Sequence, residues 1–412
     1  MMLFISKFKN TVLLLFLICY GCGNRAKTTQ DKSMANSSIS SIELAPPITV
    51  AANRTEAYLP LLRNKKIAVV ANQTSVIFKK EGHAHLVDSL LALEIDIQKV
   101  FAPEHGFRGQ ADAGEKVADD VDSRTGLSLI SLHGKNRKPS QEHLDNVDLV
   151  LFDIQDVGVR FYTYIATMQL VMEACAEKGI PIIVLDRPNP NAHYVDGPTM
   201  EAEHTGFLGM TEIPLVYGMT IGEYAQMINE EAWLENGAKV NLTVIPLKNW
   251  ARDMAYHLSI RPSPNLPNDT AINLYPSLGL FEGTNANAGR GTEFQFQRYG
   301  ASFMDSTQYD FSYVPQPNFG SKYPKEEGKT CYGKDLSDIP RMKEVSLKWL
   351  MDAYHNTTDK SKFFLTAGFT KHAGTETLQQ QIVAGLTEKE IKATWLADLE
   401  KFKLIRAKYL KY

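Results

Sequence analysis

The chain has 412 residues, of which 44% are hydrophobic and 22% are charged, and its formal net charge at pH 7 is −3. These values are typical of a globular protein that is long enough for two or three domains. The charges are of mixed sign and include no long basic tract, so nucleic acid is not an expected partner.

The first 21 residues have the pattern of an export signal. Lys7 and Lys9 precede a short apolar run at residues 11–18, and Gly21 stands directly before Cys22. A basic start, an apolar core and a small residue before the cleavage point define such a signal. We expect Cys22 to become the lipidated first residue of an exported protein that is anchored in the cell envelope, in the periplasm or at the outer membrane. Residues 22–50 are predicted to be a flexible tether because they are rich in Ser, Thr and Asn.

Strands and helices alternate in the next part of the chain. The helix at residues 162–178 has an apolar stripe and ends at Gly179, and a second helix is predicted at 83–93. Short apolar runs predict buried parallel strands. These strands are predicted at residues 67–71, 97–102, 127–132, 149–153 and 180–186. The pattern predicts an α/β fold with a Rossmann-like parallel sheet in a domain at residues 51–205.

The second half, residues 206–412, is predicted to form a smaller mixed α/β (α+β) domain. Thr220 and Glu223 have the spacing of a capping box that begins a helix, and Thr387 and Glu390 repeat this spacing before a final helix. A strand is predicted at 240–247, and further helices at 341–355 and 375–384. The segment 261–301 is rich in Pro, Gly and Asn and is predicted to be loop with short elements.

Polar residues follow all five predicted strands of the first domain. In open parallel sheets, ligands bind outside the carboxyl ends of the strands. Because all five strands end in hydrogen-bonding residues, we expect a polar pocket at this edge of the sheet. The strand ends carry Asn72-Gln73-Thr74, Glu104-His105, His133-Gly134, Asp153 with Asp156 and Arg160, and Asp186-Arg187-Pro188-Asn189.

Several common cofactor and catalytic motifs are absent from the sequence. It has no Gly-x-Gly-x-x-Gly after the first strand, no P-loop, no Gly-x-Ser-x-Gly and no His-Glu-x-x-His. We therefore expect no cofactor. Glu104, His105, Asp153 and Asp156 could ligate a metal ion, but the neighbouring arginines would compete with it, so no metal site is predicted.

Carboxylates, arginines, aromatic residues and amides remain, and they suit acid–base chemistry on a polar ligand. Hydrolysis of a sugar requires two carboxyl groups that flank the glycosidic bond. Glu104 is the predicted proton donor. Arg290 lies between two glycines and can bind a carboxylate with two hydrogen bonds.

Six motifs resemble those of the bacterial NamZ-type exo-β-N-acetylmuramidases, a family long described as a domain of unknown function. The resemblance extends from about residue 51 to residue 412. Ala286, Ala288 and His372 depart from the expected pattern and leave open a shifted substrate preference. The motifs are PEHGFRG at 103–109, DAGE at 112–115, FDIQDVGVRFYTY at 152–164, LDRPNP at 185–190, EGTN at 282–285 and GRGT at 289–292.

The resemblance implies an enzyme that removes terminal N-acetylmuramic acid from the non-reducing end of peptidoglycan fragments, with its active site in a cleft between two domains. It places the catalytic glutamate at Glu104. The second carboxylate is Glu282 as first choice, with Asp153 or Asp156 next. An arginine partner is expected for the lactyl carboxylate of the substrate. The predicted substrate-binding residues are His105, Arg108, Glu115, Arg160, Tyr164, Asp186, Asn189, Asn285 and Arg290.

Structural roles remain open for many of these residues. Glu104 could pair with Arg108, Asp153 could cap a helix, and Asp186 could pair with Arg187. Tyr164 could be a packing residue. Two other functions also remain open: a non-catalytic lipoprotein that binds cell-wall fragments, and a metal-dependent hydrolase.

Overall fold

The structure is a computed structural model that describes residues 46–109 and 120–412. The predicted export signal, most of the tether, and Glu115 lie outside the described residues. No helix in the described part of the chain is long and apolar enough to cross a membrane.

Strands and helices alternate through the first half of the described chain. The strands are β1 (Ile67–Ala71), β2 (Val76–Phe78), β3 (His83–His85), β4 (Ile97–Ala102), β5 (Asp120–Val121), β6 (Ser128–Ser131), β7 (Leu149–Asp153), β8 (Ile182–Leu185), β9 (Asp196–Thr199), β10 (Pro214–Val216), β11 (Leu242–Ile245), β12 (Arg298–Ala301), β13 (Phe311–Tyr313) and β14 (Cys331–Asp335). The α-helices are α1 (Thr55–Leu62), α2 (Leu86–Ala92), α3 (Tyr164–Lys178), α4 (Ile221–Glu230), α5 (Asp269–Leu278), α6 (Lys348–His355), α7 (Thr366–Ala373), α8 (Thr377–Val383), α9 (Glu388–Ala393) and α10 (Leu396–Arg406).

A seven-stranded sheet forms the centre of the larger N-terminal α/β domain. Its strand order is β11-β8-β7-β1-β4-β6-β5. All neighbouring strands are parallel except β5 and β6, which are antiparallel. Every residue of β1 and β7 is buried. Val70 and Phe152 pack into one apolar core and Val69 and Leu151 into another, so both faces of the sheet are covered.

The predicted strands of the first domain are all confirmed, and so is the Rossmann-like sheet. Two predicted strands, at 67–71 and 149–153, match β1 and β7 along their whole length, and 97–102 matches β4. The helix predicted at 83–93 begins later, because residues 83–85 pair with β2 as strand β3. Since β1, β4, β6, β7 and β8 are parallel neighbours, their carboxyl ends share one edge, as the sequence predicts.

The smaller C-terminal domain contains a three-stranded antiparallel sheet, in the order β12-β14-β13, and the helices α5 to α10. Helix α5 occupies ten residues of the segment predicted to be mostly loop, and the side chain of Asn268 caps it by accepting a hydrogen bond from the amide of Ala271. Both predicted capping boxes form, at Thr220 and at Thr387. The predicted final helix is divided into α9 and α10. Strand β11 follows residue 205 in the chain but belongs to the parallel sheet of the first domain. The boundary predicted between the two domains at residues 205 and 206 stays a prediction.

Candidate active site

The loop after β4 presents Glu104 at the carboxyl edge of the sheet. The amide of Gly106 donates to the carbonyl of Pro103 at 3.0 Å and closes a tight turn around Glu104. His105, inside this turn, is buried and has a φ of +71°. A side chain other than glycine is disfavoured in this left-handed conformation, and such outliers cluster at functional sites. The backbone is therefore strained at the residue that follows the predicted proton donor.

The beginning of α3 holds Glu104 from a second side. Thr163 Oγ1 donates to Glu104 Oε2 at 3.3 Å, and the hydroxyl of Tyr164 lies 3.4 Å from the Glu104 carbonyl. The side chain of Glu104 is half-buried. It is therefore held by protein groups and still partly open to a ligand, as a proton donor must be.

Aromatic residues connect this loop to the C-terminal domain. The hydroxyl of Tyr162 donates to the carbonyl of Pro262 at 2.7 Å. The ring of Phe161 lies 5.1 Å from that of Tyr275 and 5.4 Å from that of His372, between ring centroids. Phe161 packs so closely on α5 that a Cβ atom on Gly279 would lie 2.4 Å from its ring. Only glycine allows this contact.

Glu282 and Arg290 form an ion pair on the C-terminal side of the site. Arg290 Nη1 lies 2.8 Å from Glu282 Oε2, and each side chain is 24% exposed. Burial favours the neutral form of Glu282, but Arg290, Lys325 and His372 together hold its pKa below the ordinary value. Glu282 is therefore an ionised carboxylate at neutral pH. The buried Nε of Arg290 has no hydrogen-bond partner among the described residues.

Lys325 holds the turn that carries Glu282. Its ammonium donates to the carbonyls of Phe281, Glu282 and Thr284 at 3.0, 2.9 and 2.6 Å. These bonds use all three donors of the ammonium. Burial lowers the pKa of Lys325, although the nearby carboxylate of Glu282 opposes this shift.

Tyr275 shows that the two halves of the site lie close together. Burial raises the pKa of its hydroxyl, and the charges of Glu282, Glu104 and Asp156 raise it further, whereas Arg290 opposes them. One phenol thus lies within electrostatic range of the predicted donor, the predicted second carboxylate and the predicted carboxylate-binding arginine. Segments that are far apart in sequence converge here.

Asp153 is a structural residue and not the alternative second carboxylate that the sequence suggests. Arg187 Nε and Nη2 donate to its two carboxylate oxygens at 2.6 and 2.8 Å, and neither side chain is more than 2% exposed. A buried two-pronged pair of this kind leaves no carboxylate oxygen for a ligand.

Asp156, the other alternative for the second carboxylate, is bonded within the fold through one of its two oxygens. The carboxylate is buried and accepts hydrogen bonds from the Gly158 amide, at 2.6 Å, and from the hydroxyl of Tyr217. Burial raises its pKa to about 6. Both contacts use Oδ2 and fix the loop between β7 and α3, whereas the buried Oδ1 has no hydrogen-bond partner among the described residues, and a catalytic role of Asp156 stays a prediction.

Asp186 and Asn189 serve the fold as well. Asp186 accepts hydrogen bonds from Thr220 Oγ1, the Gly222 amide and the Tyr412 hydroxyl at 2.7–2.9 Å, and it is fully buried. Asn189 donates to the carbonyl of Met219 at 2.7 Å. Both were predicted to bind substrate, but their polar atoms bind other parts of the chain.

Arg160 is the largest fully buried side chain among the described residues. Nη1 donates to the carbonyls of Pro198 and Ile213, both at 2.8 Å, and Nη2 to those of His372 and Ala373 at 3.1 and 2.7 Å. Burial lowers the pKa of this guanidinium to about 9. Arg160 joins distant segments and does not reach a substrate carboxylate, in contrast to the prediction.

Arg108 likewise holds the protein together. Its guanidinium pairs with Asp122, at 2.8 and 3.0 Å, and with Asp88, at 3.1 Å. The hydrogen bond from Arg108 lowers the pKa of Asp122 to about 2. Of the three arginines predicted for the lactyl carboxylate, Arg160 is fully buried and Arg108 is paired with two carboxylates, whereas Arg290 is 24% exposed and is paired with Glu282.

Two further predicted residues have supporting contacts. Tyr164 is 1% exposed, and its hydroxyl faces the carbonyls of Glu104 and Pro262. Asn285 is half-buried at the site, but its amide donates to the carbonyl of Lys362 at 2.6 Å. Tyr164 thus supports the Glu104 loop through its hydroxyl, and its contact with a substrate stays a prediction.

Potential metal ligands gather elsewhere in the described chain. Glu201, Glu203 and His204 place one ligand atom each within 4.8 Å of one another, and this is the sole group of three found among residues 46–109 and 120–412. Glu104 and His105 do not belong to it.

Sequence reasoning missed Tyr275, Lys325 and Thr163. Tyr275 lies on α5, in a segment predicted to be loop, and Lys325 lies outside every motif. The contact of Lys325 with Thr284 crosses 41 residues of sequence, and that of Thr163 with Glu104 crosses 59. Thr163 could have been found, since it lies within the motif at 152–164.

Comparison with known proteins identifies the family. The family model for the N-terminal part of the exo-β-N-acetylmuramidase NamZ matches residues 67–270, and the model for its C-terminal part matches residues 273–412. The peptidoglycan β-N-acetylmuramidase NamZ of Bacillus subtilis (strain 168) is 37% identical over 374 residues, which are 86% of this chain and 89% of that protein.

Two crystal structures of DUF1343 family proteins from Bacteroides fragilis NCTC 9343 are similar to the whole fold. One is 42% identical, with a TM-score of 0.81, and covers 89% of this chain and 99% of its own. The other is 27% identical, with a TM-score of 0.74, and covers 89% and 100%. The matched regions together span most of the sequence, and the chain belongs to the exo-β-N-acetylmuramidase NamZ family.

Proposed function

We propose that this protein is an exo-acting glycoside hydrolase that releases terminal β-linked N-acetylmuramic acid from the non-reducing end of peptidoglycan fragments. The contacts that bring the Glu104 loop and the start of α3 against Tyr275 and His372, in the domain that holds the Glu282–Arg290 pair, carry the proposal. The name of the Bacillus subtilis relative, a peptidoglycan β-N-acetylmuramidase, supports the choice of substrate.

Glu104 is the proton donor in this proposal. It protonates the glycosidic oxygen as the bond to the anomeric carbon breaks, and water then adds to that carbon, so that one water is consumed for each sugar released. Either the ionised Glu282 or the acetamido oxygen of the substrate assists at the anomeric carbon. The partial burial of Glu104 and its contact with Thr163 suit a donor that must be both positioned and accessible.

Arg290 binds the lactyl carboxylate, the group that distinguishes N-acetylmuramic acid from N-acetylglucosamine. Its guanidinium is 24% exposed beside Glu282, and a partly buried guanidinium favours an anionic partner that it can bind with two hydrogen bonds. Glu282 holds the guanidinium in place through its ion pair. The site residues come from both matched regions, which supports a site in the cleft between the two domains.

Turnover of an aryl β-N-acetylmuraminide tests this function. We expect the wild type to release the chromophore and to act poorly on the matching N-acetylglucosaminide, which lacks the carboxylate. Glu104→Gln should lower kcat by about 10²–10⁴-fold, the usual contribution of a general acid. Glu400→Gln, at a side chain that is 67% exposed on α10, is the matched control and should leave kcat unchanged.

Two outcomes would contradict the proposal. Wild-type protein that cleaves other aryl glycosides but not the muraminide would exclude the substrate, and a near-normal rate for Glu104→Gln would exclude its role as acid. Tight calorimetric binding of the disaccharide without any product would favour the alternative, a non-catalytic lipoprotein that binds cell-wall fragments.

For the cellular location, we propose export and a lipid anchor at Cys22, on the basis of the sequence of the first 22 residues. Labelled palmitate should be incorporated into the wild type. Cys22→Ala should lose the label and appear in the soluble fraction, and equal labelling of both proteins would exclude this anchor.

A further inference from the structure

Two aromatic side chains project into solvent from the segment 318–325, which lies beside the Glu282–Arg290 pair. Tyr323 is 90% exposed and Phe319 is 58% exposed. Tyr323 has the most exposed large hydrophobic side chain among the described residues. Isolated apolar residues on a surface are common, but here two occur within five residues of one segment that contacts the residues after Arg290.

The segment is fixed against the site at several points. Asn318 Nδ2 donates to the carbonyl of Thr292 at 3.0 Å, and Asn265 Nδ2 donates to that of Gly320 at 2.7 Å. A Cβ atom on Gly291 would lie 2.7 Å from the ring of Pro324. The segment therefore packs directly on the residue that follows Arg290, and its position is well defined.

Lys325 ties the end of the segment to the catalytic turn. Two residues after Tyr323, its ammonium lies 2.9 Å from the Glu282 carbonyl. Two residues of extended chain span at most about 7 Å. The Cα atom of Tyr323 therefore lies within about 7 Å of the Cα atom of Lys325, whose side chain reaches the turn of Glu282.

Neither exposed ring contributes much to folding, because most of its surface stays in contact with water. An aromatic ring can instead cover the apolar C–H face of a sugar, and its rigid side chain loses little conformational entropy on binding. Arg290, by contrast, provides the charge that suits the anionic terminal sugar. An uncharged ring at the rim suits an uncharged sugar.

We propose that Tyr323, with Phe319 beside it, forms a subsite for the sugar on the reducing side of the cleaved bond, an uncharged N-acetylhexosamine. The proposal rests on the function proposed above, and it assigns these residues to the part of the substrate that leaves. In an exo-acting enzyme the terminal sugar occupies the site of Glu104 and Arg290, and the rest of the fragment must cross the rim.

Calorimetry with two ligands tests the subsite. We expect Tyr323→Ala to bind free N-acetylmuramic acid with an unchanged Kd, because this sugar fills only the terminal position. In a Glu104→Gln background, which prevents turnover, the same substitution should raise the Kd of the disaccharide N-acetylmuramyl-β-1,4-N-acetylglucosamine by roughly 3- to 10-fold, as expected for loss of one aromatic contact.

Two further variants complete the experiment. Tyr323→Phe should keep wild-type affinity for the disaccharide, because the ring and not the hydroxyl makes the contact. Leu404→Ala, at a side chain that is 75% exposed on α10, should change neither Kd.

An unchanged Kd for the disaccharide in Tyr323→Ala would overturn the proposal, and so would an equal loss of affinity for both ligands. Failure of the proposed function is recognised separately. It would be seen as absence of turnover of the aryl muraminide by the wild type, a result that does not depend on the Tyr323 variants.

Discussion

Substitution of Arg160 tests whether this buried arginine stabilises the fold or binds the substrate. Its guanidinium donates to four carbonyl oxygens, those of Pro198, Ile213, His372 and Ala373, and three of these bonds are fully buried. The substitution Arg160→Met removes these donors and leaves a side chain of similar length. We predict that it destabilises the protein and does not act through substrate binding.

The magnitude follows from the four carbonyls. An unsatisfied buried polar group costs about 1–3 kcal/mol, and the lower value applies where water enters the vacated space. Four groups at about 1 kcal/mol each lower the free energy of unfolding by about 4 kcal/mol. For a unit of this size the entropy of unfolding is about 0.8 kcal/mol per kelvin, so Tm should fall by about 5 °C.

Arg290→Met is the matched comparison, since it also removes a guanidinium. Its ion pair with Glu282 is 24% exposed on both sides and should contribute only about 1 kcal/mol to stability. We expect Tm to change by no more than about 2 °C and KM for the aryl muraminide to rise at least tenfold. Calorimetric melting curves and steady-state kinetics on both variants provide the readouts.

An effect of Arg160→Met on KM without an effect on Tm would refute the structural role of Arg160. If Arg160→Met has the Tm of the wild type but a raised KM, Arg160 contacts the substrate, and its hydrogen bonds to the four carbonyls contribute little to stability. Should Arg160→Met not fold, Arg160→Lys, which retains a charge but fewer donors, should show an intermediate Tm with an unchanged KM.

Three further predictions concern pH, positioning and metal. The pKa of Asp156 is raised from 3.8 to about 6 in the folded state, so its ionisation removes about 3 kcal/mol of stability as pH rises from about 4 to above 6. Asp156→Asn should therefore gain stability relative to the wild type at pH 7.5 but not at pH 4, and an equal difference at both pH values in urea unfolding would contradict this assignment. Lys325→Met should lower kcat and reduce the free energy of unfolding by about 1–3 kcal/mol, because three carbonyls around Glu282 lose their donor; Lys329→Met, at a 61% exposed side chain, is the control, and equal kinetic effects would exclude a positioning role. Chelation with EDTA should leave turnover unchanged, because Arg187 already occupies the carboxylate of Asp153, and loss of activity that Zn²⁺ or Mg²⁺ restores would revive a metal-dependent mechanism.

Most of the architecture of the first domain could be predicted from the sequence. Buried parallel strands are short apolar runs, and helix ends carry local signals such as the capping box at Thr220. Both signals depend on residues that are neighbours in the chain. The segment 261–301 was harder to predict, because α5 contains Pro276 and begins among prolines and asparagines.

The rule that ligands bind outside the carboxyl ends of parallel strands located the edge of the sheet. It does not predict which polar residues at that edge remain available to a ligand. Glu104, Asp153 and Asp186 all follow strands and look alike in sequence. Asp153 is paired with Arg187 across 34 residues, and Asp186 is bonded to Tyr412 across 226 residues. Glu104 is the one of these three that stays partly exposed.

The sequence by itself therefore determined the alternation of strands and helices, the family motifs and the choice of Glu104, because these depend on local periodicity and on residue identity. Only the tertiary structure decided that Arg160, Asp153 and Asp186 are buried and bonded within the fold and that Arg290 stays partly exposed. The physical reason is that burial and pairing are set by chain segments that meet across tens to hundreds of residues, and they determine whether a charge is satisfied by the protein or left for a substrate.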